Sequence, residues 1–202
     1  MASRRIGRYA ARIALILWGA ISILLGGVLL LKHVIALPAP ATTDTTLRDA
    51  VRTETPAGTW RAVHFMYRSC PCSRRTIAHL LDEPRDAALA QRVIMIDDDG
   101  APGADDDQLR TAGFDVAVIT PAQLTARYHV EVAPLLVLMT PGGELVYVGG
   151  YNRHKQSPAY EDRQILADAR ALRSPTALPV FGCATSQRLA RVVDPFHFDR
   201  FR

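Results

Sequence analysis

Residues 60–73, Trp-Arg-Ala-Val-His-Phe-Met-Tyr-Arg-Ser-Cys-Pro-Cys-Ser, decide the fold. The first eight, Trp60 to Tyr67, are mostly aromatic and apolar and contain neither Gly nor Pro, which is the composition of a buried strand. The run breaks at Ser69, and Pro71 then suits a first helical turn, since it has no N–H to leave unpaired and its φ is already close to helical. Downstream, Ile77, Ala78, Leu80 and Leu81 recur at helical spacing until Pro84 ends the pattern. A strand therefore passes into a helix (Ser73 to Leu81) through Cys70-Pro71-Cys72, and the junction sets the chemistry of those cysteines.

Working outward, Arg92 to Asp97 reads as a second short apolar strand and Asp115 to Ile119 as a third, with a Gly- and Asp-rich loop between them. Thr120-Pro121-Ala122-Gln123 is a helix start, with Thr as N-cap, Pro at the first position and Gln closing a capping box. That helix runs to about Tyr128. Val132 to Leu138 is a strand opened by Pro134, Pro141-Gly142-Gly143 a turn, and Glu144 to Val148 its hairpin partner. A last helix, Tyr160 to Leu172, carries Ile165, Leu166, Ala169 and Leu172 on one face. This alternation predicts an α/β mixed sheet with helices on both faces. The acidic runs Asp97-Asp98-Asp99 and Asp105-Asp106-Asp107 lack the alternating ligands and distal Glu of a calcium loop, so a solvated loop is expected.

The N-terminus differs from the rest. From Ile13 to Leu31 no residue is charged, and as a helix the 19 residues would span about 28 Å, close to the roughly 30 Å hydrocarbon core of a membrane. Arg4, Arg5, Arg8 and Arg12 precede this stretch and Lys32 comes directly after it, so the positive-inside rule places the N-terminus in the cytoplasm and exports the rest of the chain. A cleaved signal peptide is the competing reading, with Val34-Ile35-Ala36 as a small-residue cleavage site, although the apolar stretch is longer than signal peptides use. The chain of 202 residues, 49% hydrophobic and 22% charged, suits one packed domain with an appendage and excludes wholesale disorder. Its net charge of +4 invites a nucleic-acid partner, but the basic excess lies within residues 1–32, and the remainder has one more acid than base. No nucleic-acid partner is expected. The predicted organisation is a cytoplasmic basic segment (1–12), a transmembrane anchor or signal segment (13–31), a tether (32–59) with one short helix around Leu47 to Arg52, the α/β domain (60–172), and a C-terminal extension (173–202) carrying Cys183.

Three cysteines are too few for a disulfide scaffold, so Cys70 and Cys72 are read for reactivity. The thiolate is the nucleophile, and a helix N-terminus lowers a thiol's pKa; Arg68, Arg74 and Arg75 are expected to push the same way. Inside a helix, residues two apart point about 200° from each other, so a Cys70–Cys72 bridge would be strained. About 2 kcal/mol of strain would make the couple roughly 40 mV more oxidising. Cys183 is a candidate third participant: it pairs with Cys70, with Cys72 or with a partner's thiol, or packs as a small apolar residue.

From about 60 to 172 the chain resembles the thioredoxin-like fold in its membrane-tethered, exported bacterial form. The matching residues are His64-Phe65-Met66 to Cys70 at the first strand end, Tyr128-His129-Val130-Glu131-Val132-Ala133-Pro134 before the later strand, and the Gly142-Gly143 hairpin. The resemblance implies Cys70 as nucleophile, Pro134 as the cis-proline beside the sulfurs, and Ala133 as the residue whose backbone pairs with substrate. His64 falls where thioredoxin has a buried acid; a histidine hydrogen-bonded in the core is its first reading, and a proton relay to the sulfur the sharper one. The chain departs from the family's usual motif, since Ser73 holds the second-cysteine position and Cys72 sits one residue earlier; exported relatives with Cys-Pro-Cys share this. The implied function is a thiol–disulfide oxidoreductase or isomerase in the periplasm, single-pass in the bacterial inner membrane, acting on protein thiols and disulfides with a redox partner protein and no cofactor or resident metal. Two alternatives sit on the same fold. A copper(I) or zinc carrier would use the same cysteines, and a thiol peroxidase would need Thr or Ser where Tyr67 stands.

Overall fold

A computed structural model describes residues 2–54, 57–155 and 157–193, with the side chains of all of these except 2–11 and 29–34. The tail from Phe196 to Arg202 lies outside them. The chain divides into two units, Met1–Ile35 and Ala36–Arg202. The first is one helix, α1 (Ala2–Val34), on which Ile13, Leu15, Ile16, Trp18, Ile23 and Leu24 are each more than half exposed. Among the described residues no helix is long and apolar enough to cross a membrane; the expected span, Ile13 to Leu31, runs past residue 28, where side-chain description of α1 stops.

The second unit begins with α2 (Thr45–Glu54), β1 (Trp60–Tyr67), α3 (Pro71–Asp82) and β2 (Leu89–Ile96). It continues through α4 (Ala104–Thr111), β3 (Asp115–Ile119), α5 (Pro121–Tyr128), β4 (Val132–Ala133), β5 (Leu135–Met139) and β6 (Leu145–Gly149), and closes with α6 (Asp162–Arg170), β7 (Cys183–Ala184) and α7 (Gln187–Val193). Five strands form the main sheet in the order β3-β2-β1-β5-β6. β1 runs parallel to β2 and β2 to β3, while β5 is antiparallel to both β1 and β6. The β5–β6 hairpin turns at Gly143, whose φ of +90° only glycine adopts at low cost.

Strand alternation sends neighbouring residues to opposite faces, and each face has its own core. Phe65, Ile94 and Val137 pack with Leu124 and Tyr128 of α5, while Met66, Met95 and Leu136 pack with Ile77 and Leu80 of α3 and Ile165 of α6. The Thr120 cap of α5 forms as predicted, its Oγ1 accepting from the Gln123 N–H and the Gln123 side chain accepting from the Thr120 N–H.

Three segments differ from expectation. Residues 37–54 hold the short helix expected around Leu47 to Arg52, as α2, but are not a loose tether: Leu37 donates its N–H to Val180 O at 2.8 Å, and Leu47 and Val51, one helical turn apart on α2, are buried in the α5-side core. The Gly- and Asp-rich loop contains α4, with Asp105, Asp106 and Asp107 in its first turn, where the helix dipole favours carboxylates, and Leu109 anchoring it in the core. The strand expected over Val132 to Leu138 is two, because Pro134 has no N–H for a ladder and turns the chain between β4 and β5.

Candidate functional site

The site is assembled where β1 ends, α3 begins and the β4–β5 corner passes. Cys70 donates its N–H to Tyr67 O (2.9 Å) and its carbonyl accepts from the Arg74 N–H (3.1 Å), so it stands at the N-cap of α3 with φ −86° and ψ 119°. Pro71 takes the first helical position and Cys72 the second. Ser73, in the place of the usual second cysteine, is fully buried, and its Oγ accepts from the Tyr67 N–H at 3.0 Å, tying strand end to helix start.

Cys70 is buried, and its Sγ lies 3.8 Å from Ala133 O, beside a cis peptide bond between Ala133 and Pro134. The two-residue strand β4 pairs antiparallel with β7, setting Ala133 opposite Cys183 and Val132 opposite Ala184. Five of the predicted site residues therefore converge: Cys70, Cys72, Ala133, Pro134 and Cys183. None of these three cysteines is in a disulfide.

These neighbours make Cys70 acidic. Hydrogen bonds from the Cys183 thiol, then from the Cys72 thiol, outweigh burial and, with the Ser73 and Cys72 N–H groups, hold its pKa down to about 3. Cys72 moves the other way: its hydrogen bond to Cys70, burial and the adjacent Cys70 charge push it well above the ordinary thiol range, against the pull of Lys155 and Arg75. Cys70 is the thiolate and Cys72 the proton donor at its side. The 200° divergence expected of the pair does not apply, because an N-cap with extended ψ lies off the helical projection.

Arg68 does not serve the sulfur. Its Nε reaches Asp97 Oδ2 (2.8 Å), and its Nη2 reaches Asp106 Oδ2 (2.9 Å) and Ala101 O (3.1 Å), so the guanidinium holds the β2 end and the α4 start against the β1 end. Asp106 is fully buried and also accepts from the Gly103 N–H at 2.7 Å. The acidic runs expected to be solvated thus supply the two carboxylates that anchor the active-site corner.

His64 is not among the groups at the sulfurs. Its Nδ1 shares a 2.8 Å hydrogen bond with Tyr151 Oη, Phe114 meets its ring edge-on, and it lines a hollow of about 480 Å³ with Leu136, Leu138 and Asp162. Burial, opposed by the Asp162 charge and by Gln91, lowers its pKa to about 4, so it is neutral at pH 7. In the unfolded chain its pKa is near 6.5, so between pH 6.5 and 4 the unfolded state binds the extra proton and stability falls as pH falls. The expected loss is about 3 kcal/mol over that window. Urea titrations at pH 7 and pH 4 on the wild type and on His64→Gln measure it, and an unchanged pH slope in His64→Gln would sink the assignment.

Residues that sequence reading did not single out complete the surroundings. Tyr160 stacks on His79 with centroids 3.9 Å apart, and His79 Nε2 meets Asp162 Oδ1 at 3.0 Å, clamping α6 to α3. Tyr151, Tyr160 and Phe181 wall a pocket of about 40 Å³ beside Cys72. Among the described residues no group of three or more His, Cys, Asp or Glu is placed to hold a metal ion.

A parallel β1–β2–β3 half, an antiparallel β5–β6 hairpin and a cysteine at the N-cap of the helix after β1 define a thioredoxin-like fold. No known family description matches the chain, and no curated protein matches it. Among solved structures it is similar to an uncharacterized conserved protein of Geobacillus kaustophilus, with TM-score 0.53 and 14% identity over 76% of this chain and 91% of that one. A hypothetical protein of Sinorhizobium meliloti aligns at TM-score 0.47 and 16% identity, over 76% and 91%. A secreted disulfide oxidoreductase of Mycobacterium tuberculosis aligns at TM-score 0.38 and 16% identity, over 57% and 83%. The first of these likenesses bears on the fold alone.

Proposed function

We propose that the chain is an exported thiol–disulfide oxidoreductase, tethered to the bacterial inner membrane by α1 with its second unit in the periplasm, and that Cys70 is its nucleophile. The observation that carries this reading is the placement of Cys70, buried at a helix N-cap against the cis Ala133–Pro134 corner, with Cys72 two residues on and Cys183 paired across from Ala133. Cys70 S⁻ attacks one sulfur of a substrate disulfide and the other sulfur leaves as a thiolate. With Cys70 bonded, the negative charge that suppressed Cys72 ionisation is gone, while Arg75 and Lys155 still favour it. Cys72 then loses its proton to the departing thiolate and displaces the substrate from Cys70 Sγ. Because the hydrogen bonds to Cys70 stabilise the reduced form, the corresponding disulfide is oxidising and the steps run more readily in reverse. A substrate thiolate attacks Cys70 Sγ of the Cys70–Cys72 bridge, Cys72 leaves and takes a proton, and a second substrate thiol displaces Cys70 S⁻ to form the substrate disulfide. This suits oxidation or isomerisation better than strong reduction. The uncharged stretch of α1 from Ile13, with arginines at positions 4, 5, 8 and 12 ahead of it on the same helix, supports the tether and its orientation.

The test is a redox titration of the full chain in detergent. Equilibration across a glutathione series, alkylation and mass mapping of Cys70, Cys72 and Cys183 should find a Cys70 disulfide that opens between about −250 and −120 mV. Thiols that stay reduced throughout and copurify with stoichiometric copper would overturn the reading in favour of a metal carrier.

A further inference from the structure

β4 is separate from the main sheet, and its paired edge is filled by this chain's own residues. The filling is built in rather than incidental. Thr185 donates its N–H to Glu131 O at 2.8 Å, Ser186 Oγ reaches Glu131 Oε1 at 2.7 Å, and Arg188 binds the same carboxylate. Val180 is buried on the other side of Cys183. Between them, Gly182 passes so close to the corner that a Cβ there would overlap Ala133 O and Pro134 Cδ. Phe181 lines the pocket beside Cys72.

A strand added antiparallel to such an edge is held by its backbone and read by its side chains. Here the residue opposite Ala133 is a cysteine, and Ala133 O is itself in contact with Cys70 Sγ. The seat, the extended backbone and the sulfur are all in place.

We propose that Phe181 to Thr185 is a built-in substrate strand: it occupies the edge on which an extended, cysteine-bearing polypeptide docks, and Cys183 exchanges disulfides with Cys70. This rests on the oxidoreductase reading above and specifies its resting state and its substrate. With a disulfide R–S–S–R as oxidant, Cys70 S⁻ attacks to give Cys70–S–S–R and RS⁻. Cys183, its proton passing to RS⁻, then attacks Cys70 Sγ to give Cys70–S–S–Cys183 and a second RS⁻, which takes a proton from solvent. Two electrons pass from the two cysteines to R–S–S–R. A substrate must displace this strand, so polypeptides with small residues flanking the cysteine, as Gly182 and Ala184 flank Cys183, are preferred.

The experiment uses the full chain carrying Cys72→Ser, alone and combined with Cys183→Ser or Gly182→Val. Oxidised glutathione is added, and disulfides are mapped after acid quenching. The expected result is a Cys70–Cys183 disulfide in Cys72→Ser, replaced in both double variants by a persistent Cys70–glutathione adduct, with iodoacetamide reaching reduced Cys70 about tenfold faster in the variant whose strand Gly182→Val unseats. Cys183→Ser alters one atom, so the test stands if Gly182→Val fails to fold. A lasting glutathione adduct with Cys183 still a thiol in Cys72→Ser would overturn the internal strand and leave the oxidoreductase reading intact. A Cys70 that never reacts with glutathione would overturn both.

Discussion

Cys70→Ser is expected to lower disulfide exchange by about a thousandfold or more, the scale on which loss of an attacking group is felt, while leaving the fold unchanged. The reason is specific to this site. Cys70 is both the attacking thiolate and the best leaving group, since a thiol of low pKa departs fastest from a disulfide. Cys72 does not replace it, because burial still disfavours its thiolate when Cys70 is gone, and it is Cys70 that holds the N-cap and touches the Ala133 corner. The signature is in the pH profile. With a pKa near 3, Cys70 should be alkylated at a nearly constant rate from pH 8 down to about pH 4, whereas an ordinary thiol slows about tenfold for each pH unit below 8.5. The same ionisation stabilises the reduced fold fully above the unfolded thiol's pKa and progressively less as pH falls toward 3. Iodoacetamide rates on wild type and Cys72→Ser test this, and a midpoint near 8 in both would remove the basis for Cys70 as nucleophile.

The second large effect is on stability. Arg68→Met should cost about 3–5 kcal/mol, because it leaves Asp106 a fully buried carboxylate without its cation. Asp97 is less affected: two N–H groups, of Ala101 and Asp99, still hold it. The double variant with Asp106→Asn should recover much of the loss, since the amide carbonyl can still accept from the Gly103 N–H. Urea unfolding of both single variants and the double variant gives the cycle. A loss below about 1 kcal/mol in Arg68→Met would mean that the pair is as weak as exposed ones.

What could be read from the sequence was local. Trp60 to Tyr67, Asp115 to Ile119 and the Thr120 cap are each carried by signals within a few residues, and the structure places strands and helix there. α4 was hidden because three of its eight residues are aspartates and its fully apolar anchor is the single Leu109. Arg68 was misassigned because adjacency to Cys70 in sequence suggested adjacency of charge, whereas its partners lie 29 and 38 residues away. β7 has two residues and no periodicity, and its pairing partner is some fifty positions upstream. Nothing near Cys183 in sequence could reveal that it lies across from Ala133.

The backbone hydrogen bond from Leu37 to Val180 joins the first residues of the second unit to the segment that ends in Cys183. Tension applied to the chain ahead of Leu37 therefore loads that contact before any other described backbone contact of the domain, only three residues from the sulfur. A pull on that end of the chain therefore bears on the segment that carries Cys183.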